Sequence, residues 1–170
     1  MKTIKILLAY STGCTQANFF VGMTNLRARI NALSNVEVLH DWGRVVIGES
    51  ENSSDAFGKV LANVNTADLV VVVYHSMEDD LVSEIVWRCE LRKPIRIFVP
   101  HKGSVSNWIE SCLMYYRQRR TSPFDLKATE MPDPIKYFAI DGIFASVAEW
   151  VEKRQKLEAA EQVSPEVAPT

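Results

Sequence analysis

Polar and acidic residues that could bind or react with a ligand directly follow an apolar run in the middle of the chain. The stretch "ADLVVVVYHSMEDDLVSE", from Ala67 to Glu84, changes from β-forming valines to polar and acidic residues within a few positions. Glu84 falls where the first turn of a helix is expected, and the positive end of the helix dipole would help to keep its carboxylate ionised. The carboxylate therefore either stabilises a helix end or serves as an ionised group that acts on a ligand.

Polar and aromatic residues also follow the other apolar runs. The loops "YSTGCTQAN", "HDWGR", "YHSMEDDLVSE" and "PHKGSVSN" offer Tyr10, His40, Asp41, Trp42, His75, Asp80 and Glu84. None of these loops contains the glycine patterns of the P-loop, the dinucleotide-binding turn or the nucleophile elbow. His75 and His101 have no metal-ligand spacing with the cysteines, so the sequence predicts no zinc site and we expect no cofactor.

The first loop has two interpretations. Its residues Ser11, Thr12 and Gly13 precede a predicted helix, so their backbone N–H groups could wrap a phosphate or contact a ribose. The same residues could equally form an ordinary strand-to-helix turn. Because the loop is similar to the FMN phosphate loop of flavodoxins, a flavodoxin-like protein is one alternative.

The elements that must position these loops alternate between strands and helices. The predicted strands are Lys5–Tyr10, Val36–Asp41, Asp68–Tyr74, Lys93–Val99 and Ile135–Ile140. The predicted helices are Gln16–Leu33, Asp55–Asn65 after Ser53 or Ser54, Leu81–Arg92, Asn107–Arg119 and Gly142–Glu161 after the cap Asp141. This order predicts a single-domain three-layer α/β/α fold with a five-stranded, mainly parallel Rossmann-like (flavodoxin-like) sheet, in which ligands bind at the carboxyl ends of the strands.

Composition limits the classes of function. The chain has 170 residues, of which 47% are apolar and 24% are charged, and its formal net charge is -2. This charge gives no reason to expect nucleic acid or an anionic membrane as a partner, and no apolar run is long enough to span a bilayer. We expect a cytoplasmic domain over residues 1–160, buried thiols at its three cysteines, and a disordered polar tail over residues 161–170.

Three short motifs suggest a family. They are Ala67-Asp68-Leu69-Val70-Val71, Val82-Ser83-Glu84-Ile85 and Arg92-Lys93-Pro94-Ile95. Their order and spacing resemble the "ADLVVA", "GxxxELGxA" and "GKPV" segments of the nucleoside 2-deoxyribosyltransferase superfamily, which includes the 2′-deoxynucleoside 5′-phosphate N-hydrolases. The "LLAYS" and "VLHDW" segments resemble the ends of that family's first two strands, so the resemblance covers roughly residues 4 to 100.

The resemblance implies an N-glycosidase or deoxyribosyltransferase that acts on a nucleoside or nucleoside 5′-monophosphate. It makes Glu84 the nucleophile that attacks the anomeric carbon of a deoxyribose, with Tyr10 as a hydrogen-bond partner of Glu84 or of the sugar. Asp55 is the acid nearest to the position, close to Val60, from which family members protonate the base. The expected substrate contacts are Ser11, Thr12, Gly13, Asp41, Trp42, Asp80 and Ser83.

The chain also departs from the family pattern. Val82 and Ser83 precede Glu84, and Val86-Trp87 follow it, where the family has glycines. The alternative is therefore a catalytically inactive nucleotide-binding module of the same fold. Family members are dimers or larger, and the predicted helix 107–119 is more apolar than one buried face requires, so we expect a homo-oligomer.

Overall fold

The computed structural model describes residues 2–10, 17–39, 53–74, 94–100, 110–111, 114, 134–137 and 139–163. The elements in these ranges are β1 (Ile4–Tyr10), α1 (Ala17–Asn31), β2 (Val36–Leu39), α2 (Ser53–Thr66), β3 (Leu69–Val73), β4 (Ile95–Pro100), β5 (Ile135–Tyr137) and α3 (Ile140–Val163). Glu110, Ser111 and Met114 are helical and fall inside the predicted helix 107–119.

The five strands form one sheet in the order β2-β1-β3-β4-β5, and every neighbouring pair is parallel. Short apolar strands separated by helical segments favour this arrangement, because parallel neighbours need a crossover connection. The predicted α/β fold with a parallel sheet is confirmed. Its strand order reverses direction at β1, so the topological switch point lies between β1 and β3.

Helices cover both faces of the sheet. On one face, side chains of β1 and β3 such as Leu8 and Val71 pack against a layer of α1 and α3 that includes Met23 and Val147. On the other face lies α2, whose Val64 is fully buried and which contacts β1. A strand buried on both faces has no solvent side, which explains why β3 consists of leucine and valines without polar alternation.

The amino-terminal edge of the sheet is held by Asp68, which lies just before β3. Its carboxylate accepts a hydrogen bond from the backbone N–H of Lys5 (2.8 Å), and its own N–H donates to the Lys5 carbonyl (2.7 Å). The ammonium of Lys2 lies 3.7 Å from the same carboxylate. Asp68 therefore fixes the start of β3 against β1.

The same edge is tied to α3 and to the turn between α1 and β2. The side-chain amide of Gln155 donates to the Ser34 carbonyl (2.7 Å). Asn35 adopts a left-handed conformation (φ 56°), and its carbonyl accepts from the Ile4 N–H (2.8 Å). Asparagine tolerates this conformation better than most residues, so the chain can reverse here and enter β2 beside β1.

Helices α1 and α3 approach each other closely at Gly22. A Cβ at this position would overlap the Cδ1 atom of Ile140 at the start of α3. Further along, the Arg29 guanidinium donates a hydrogen bond to the Asp141 carboxylate and lies 4.1 Å from the centre of the Phe144 ring. This cation–π contact and the ion pair fix the first turn of α3 on α1.

The outer edge of β2 is also occupied. The Asn31 side-chain oxygen, at the end of α1, accepts a hydrogen bond from the backbone N–H of Val38 (3.1 Å). The N–H groups of an edge strand otherwise point away from the sheet. The Asn31 side chain therefore supplies a hydrogen-bond acceptor for the Val38 N–H, which has no described strand beside it.

The structure differs from the prediction around β5. The predicted strand Ile135–Ile140 ends at Tyr137, and Ile140 begins α3. Asp141 lies inside the first turn of α3, where its carboxylate meets Arg29, and does not cap the helix. The run "IKYFAI" has no periodicity that separates strand from helix, and the contact of Ile140 with Gly22 favours the helix. Helix α3 ends at Val163, so residues 161–163 belong to it.

Three charged pairs follow the exposed part of α3. Lys153 bonds to Glu149, Lys156 bonds to Glu152, and Arg154 bonds to Glu158, each at a spacing of four residues. The lysines lower the pKa of the Glu149 and Glu152 carboxyls. Among the described residues, none of the helices combines the length and the hydropathy needed to cross a bilayer.

Candidate functional site

Strands β1 and β3 end side by side at the switch point. Tyr10, the last residue of β1, is in register with Val73, the last residue of β3. The chain therefore leaves two neighbouring strands at the same level, into residues 11–16 after β1 and residues 75–93 after β3. In open parallel sheets this is the place where ligands bind.

Tyr10 is a largely buried aromatic residue at this edge. Its side chain is 8% exposed, and its ring meets the rings of Phe19 and Phe20 edge to face, with centroids 6.0 and 6.3 Å away. Both phenylalanines lie in the first turn of α1. Edge-to-face pairs are a favourable aromatic geometry, so the three rings fix α1 over the end of β1.

Tyr74 lies at the same edge but on the opposite face of the sheet. It follows Val73, and successive side chains of an extended chain alternate between the two faces. Its backbone N–H donates to the Phe98 carbonyl of β4 (2.8 Å), which extends the ladder by one residue beyond β3. The side chain is 6% exposed, and burial raises the pKa of the phenol above its ordinary value. The hydroxyl is therefore neutral at physiological pH and can both donate and accept hydrogen bonds.

Asp55 lies in the first turn of α2. The last turn of α2 leads through Ala67 into Asp68, at the amino-terminal edge of the sheet. A helix of this length spans about 21 Å, close to the span of a seven-residue strand, so the first turn of α2 lies towards the carboxyl edge. The backbone of Asp55 is thus on the same face and near the same edge as Tyr74.

The structure brings Tyr10 to the predicted edge and places the helical turn of Asp55 towards it. The other predicted site residues lie outside the described residues: Ser11, Thr12, Gly13, Asp41, Trp42, Asp80, Ser83 and Glu84. The same holds for the predicted helix Leu81–Arg92 and for the three cysteines. Their roles stay predictions.

Sequence reasoning missed three residues near this edge: Phe19, Phe20 and Tyr74. A signal for Tyr74 was present, because it is a polar-tipped aromatic residue that ends a run of four valines. The two phenylalanines lie within the predicted helix Gln16–Leu33. Their contact with Tyr10 depends on the angle at which α1 crosses β1, which local sequence does not determine.

Metal binding has no support within the part of the chain that the structure describes. No group of three or more His, Cys, Asp or Glu side chains there is arranged to hold a metal ion. The described groups at the carboxyl edge are instead aromatic rings and phenols. Of these, Tyr10, Phe19 and Phe20 pack against one another edge to face.

Comparisons with known proteins give the fold. No family model matches the chain, and no curated protein matches it. Among solved structures, the chain is similar to a conserved protein from Enterococcus faecalis V583, with a TM-score of 0.53 and 10% sequence identity. The match covers 86% of this chain and 98% of that one. At this identity the likeness shows a shared α/β architecture.

Proposed function

We propose that the chain is an N-glycosidase or deoxyribosyltransferase that cleaves the N-glycosidic bond of a 2′-deoxynucleoside or its 5′-monophosphate. The observation that carries this proposal is the register of Tyr10 with Val73. It supports a site in which the segment containing Glu84 and the loop containing Ser11, Thr12 and Gly13 leave adjacent strands at one edge. A sugar and its substituents need groups from more than one loop, and a switch point offers them.

Two of the three motifs on which the resemblance rests include described residues. Asp68, from the "ADLVV" segment, holds the start of β3, and Pro94, from the "KPI" segment, directly precedes β4. These two motifs therefore have structural roles at the amino edge. The segment that contains Glu84 connects the carboxyl end of β3 to the amino end of β4, and its chemical role remains part of the proposal.

The chemistry assigned to this site has two steps. In the first step the Glu84 carboxylate attacks C1′ of the deoxyribose while the bond from C1′ to the base nitrogen breaks. The departing base takes up a proton from an acid, and Asp55 is the candidate for that acid. Water then attacks C1′ of the glycosyl ester while the carboxylate of the same acid takes up its proton, which releases Glu84 as a carboxylate together with the free sugar. If a second base attacks instead of water, the product is a new nucleoside.

The proposal needs neither a metal nor an organic cofactor, because the carboxylate supplies the nucleophile and the acid supplies the proton. The partners are a nucleoside or nucleotide and further copies of the chain. Met114, within the predicted helix 107–119, is 54% exposed, which fits an interface that this helix provides.

The test is a screen of purified protein against the four 2′-deoxynucleosides and their 5′-monophosphates, with free base measured by chromatography. The matching ribonucleosides and ribonucleotides serve as controls for the sugar. We expect base release from at least one deoxy substrate. Thermal stabilisation by a nucleotide without base release would instead support the inactive binding module. If the protein shows no stabilisation by any nucleotide and no base release, both the enzyme and the binding module are ruled out.

A further inference from the structure

Tyr74 combines a fixed backbone with a largely buried side chain that ends in a hydroxyl. Its N–H is bonded to the Phe98 carbonyl (2.8 Å), so the position of its Cα is set by the sheet. The neighbouring residues of β3 and β4, such as Val72, Ile97 and Val99, are buried and apolar. A phenylalanine would satisfy such surroundings as well as a tyrosine does, so the hydroxyl needs a separate explanation.

A buried hydroxyl is costly unless it forms a hydrogen bond. Within the described ranges, no hydrogen-bond partner of the Tyr74 hydroxyl is present. Tyr10 differs, since its ring has two aromatic neighbours and belongs to the main core. Tyr74 therefore presents a neutral donor and acceptor at the β3 side of the switch point, on the face that α2 covers.

We propose that the hydroxyl of Tyr74 forms a hydrogen bond with the 3′-hydroxyl of the deoxyribose bound at the switch point. This inference rests on the proposed function, because a 2′-deoxynucleotide has one hydroxyl on its ring, at C3′, whatever the base or phosphate. Tyr74 is then a specificity residue for the sugar. It recognises the 3′-hydroxyl, which all 2′-deoxynucleotides carry.

The test compares ligands with and without that hydroxyl. The probes are the four 2′-deoxynucleoside 5′-monophosphates and their 2′,3′-dideoxy counterparts, titrated in a Glu84→Gln background so that no base is released. With Tyr74 present, we expect the dideoxy ligand to bind about tenfold more weakly, the effect of one hydrogen bond. In Tyr74→Phe, both ligands should bind with the same weak affinity.

The control removes a phenol from another strand end. Tyr137 ends β5, two strands from β3, and Tyr137→Phe should keep the tenfold difference between the two ligands. The unfolding midpoint of ligand-free Tyr74→Phe should stay within about 1 °C of the parent value, because no hydrogen bond to a described residue is lost.

Three outcomes would overturn the inference. A tenfold ligand difference that persists in Tyr74→Phe would show that another group binds the 3′-hydroxyl. A midpoint several degrees lower in ligand-free Tyr74→Phe, with ligand discrimination intact, would show that the hydroxyl has a partner within the protein. If no deoxynucleotide binds with Tyr74 in place and the screen finds no base release, the proposed function fails together with this inference.

Discussion

The two edges of the sheet differ in what occupies the strand ends. At the amino edge, specific hydrogen bonds join the strands and helices of the chain: Asp68 bonds to Lys5, and Gln155 bonds to Ser34. At the carboxyl edge, the described strands β1 and β5 end in tyrosines and a tyrosine follows β3. The hydrogen bonds at the amino edge join parts of the chain to one another, while the carboxyl edge is the place where ligands bind in this fold.

This difference implies a division of roles. Substitutions at the amino edge should lower the free energy of unfolding and leave the chemistry of the folded protein unchanged. Substitution of a group proposed to act on the ligand at the carboxyl edge should change the chemistry and leave the free energy of unfolding nearly unchanged. Two substitutions test this division and a third tests the helix layer, and they are ordered below by the size of the expected effect.

The largest effect is expected for Glu84→Gln. An amide cannot form the glycosyl ester, so base release should fall by at least about a thousandfold. The free energy of unfolding should change by no more than about 0.3–1 kcal/mol, the contribution of an acid in the first turn of a helix. Chromatography measures the rate of base release, and a urea titration measures the free energy of unfolding.

A matched control is Glu90→Gln, which removes the same charge further along the predicted helix 81–92. This variant should release base at the parent rate. Equal rates for Glu84→Gln and the parent would eliminate Glu84 as the nucleophile. The parallel sheet would be unaffected by that result.

The second prediction concerns Asp68→Ala at the amino edge. It leaves the Lys5 N–H without its carboxylate acceptor, and hydrogen bonds to charged groups contribute about 1.5–3 kcal/mol. We expect the free energy of unfolding to fall by that amount. Base release, assayed well below the unfolding temperature, should be retained.

The exposed carboxylate of Asp141, which pairs with Arg29, provides the comparison. Asp141→Ala should cost at most about 1 kcal/mol, because surface ion pairs contribute little. If Asp68→Ala loses base release at a temperature where its circular dichroism is native, the amino edge contributes to the chemistry as well as to stability, which contradicts the proposed division of roles.

The sequence alone was sufficient to predict the parallel sheet. All five strands start within two residues of their predicted positions at Lys5, Val36, Asp68, Lys93 and Ile135, because each begins a short apolar run that follows helical or turn residues. The end of the fifth was wrong, since Ile140 belongs to α3. Ile140 packs close to Gly22 of α1, more than a hundred residues away, and local sequence does not reveal such a contact.

The site was harder to predict than the fold. Tyr10 was found because it ends a strand, and strand ends can be read from the apolar pattern. The phenylalanines that surround it come from a helix, and their meeting depends on helix orientation. Tyr74 directly precedes an acidic loop, and nothing in the local sequence distinguishes its phenol from the aromatic end of a buried strand.

The smallest effect is expected for Gly22→Ala, in the packing between α1 and α3. Alanine favours a helix over glycine by about 1 kcal/mol, but its Cβ would overlap Ile140 Cδ1, and overpacking costs about 1–3 kcal/mol. We expect a net loss of stability of about 1 kcal/mol or less. In an Ile140→Val background, which lacks that methyl group, the same change should stabilise the protein by about 0.5 kcal/mol.

Urea titrations of the four proteins in this double-mutant cycle measure the coupling between positions 22 and 140. Additive effects would mean that the two helices do not meet at these residues. Base release should be the same in all four proteins. A change in base release would extend the functional region from the strand ends into the helix layer.

The hydrogen bond from Val38 to Asn31 has a consequence for how copies of this protein can associate. A second molecule cannot add its own strand beside β2 without displacing that side chain, so lateral growth of the sheet is disfavoured at this border. At the opposite border, β5 has only three residues and follows Pro134, which offers little length for another strand. Within the described part of the sheet, both borders therefore disfavour pairing with a strand of a second copy, so we expect copies to associate through other surfaces.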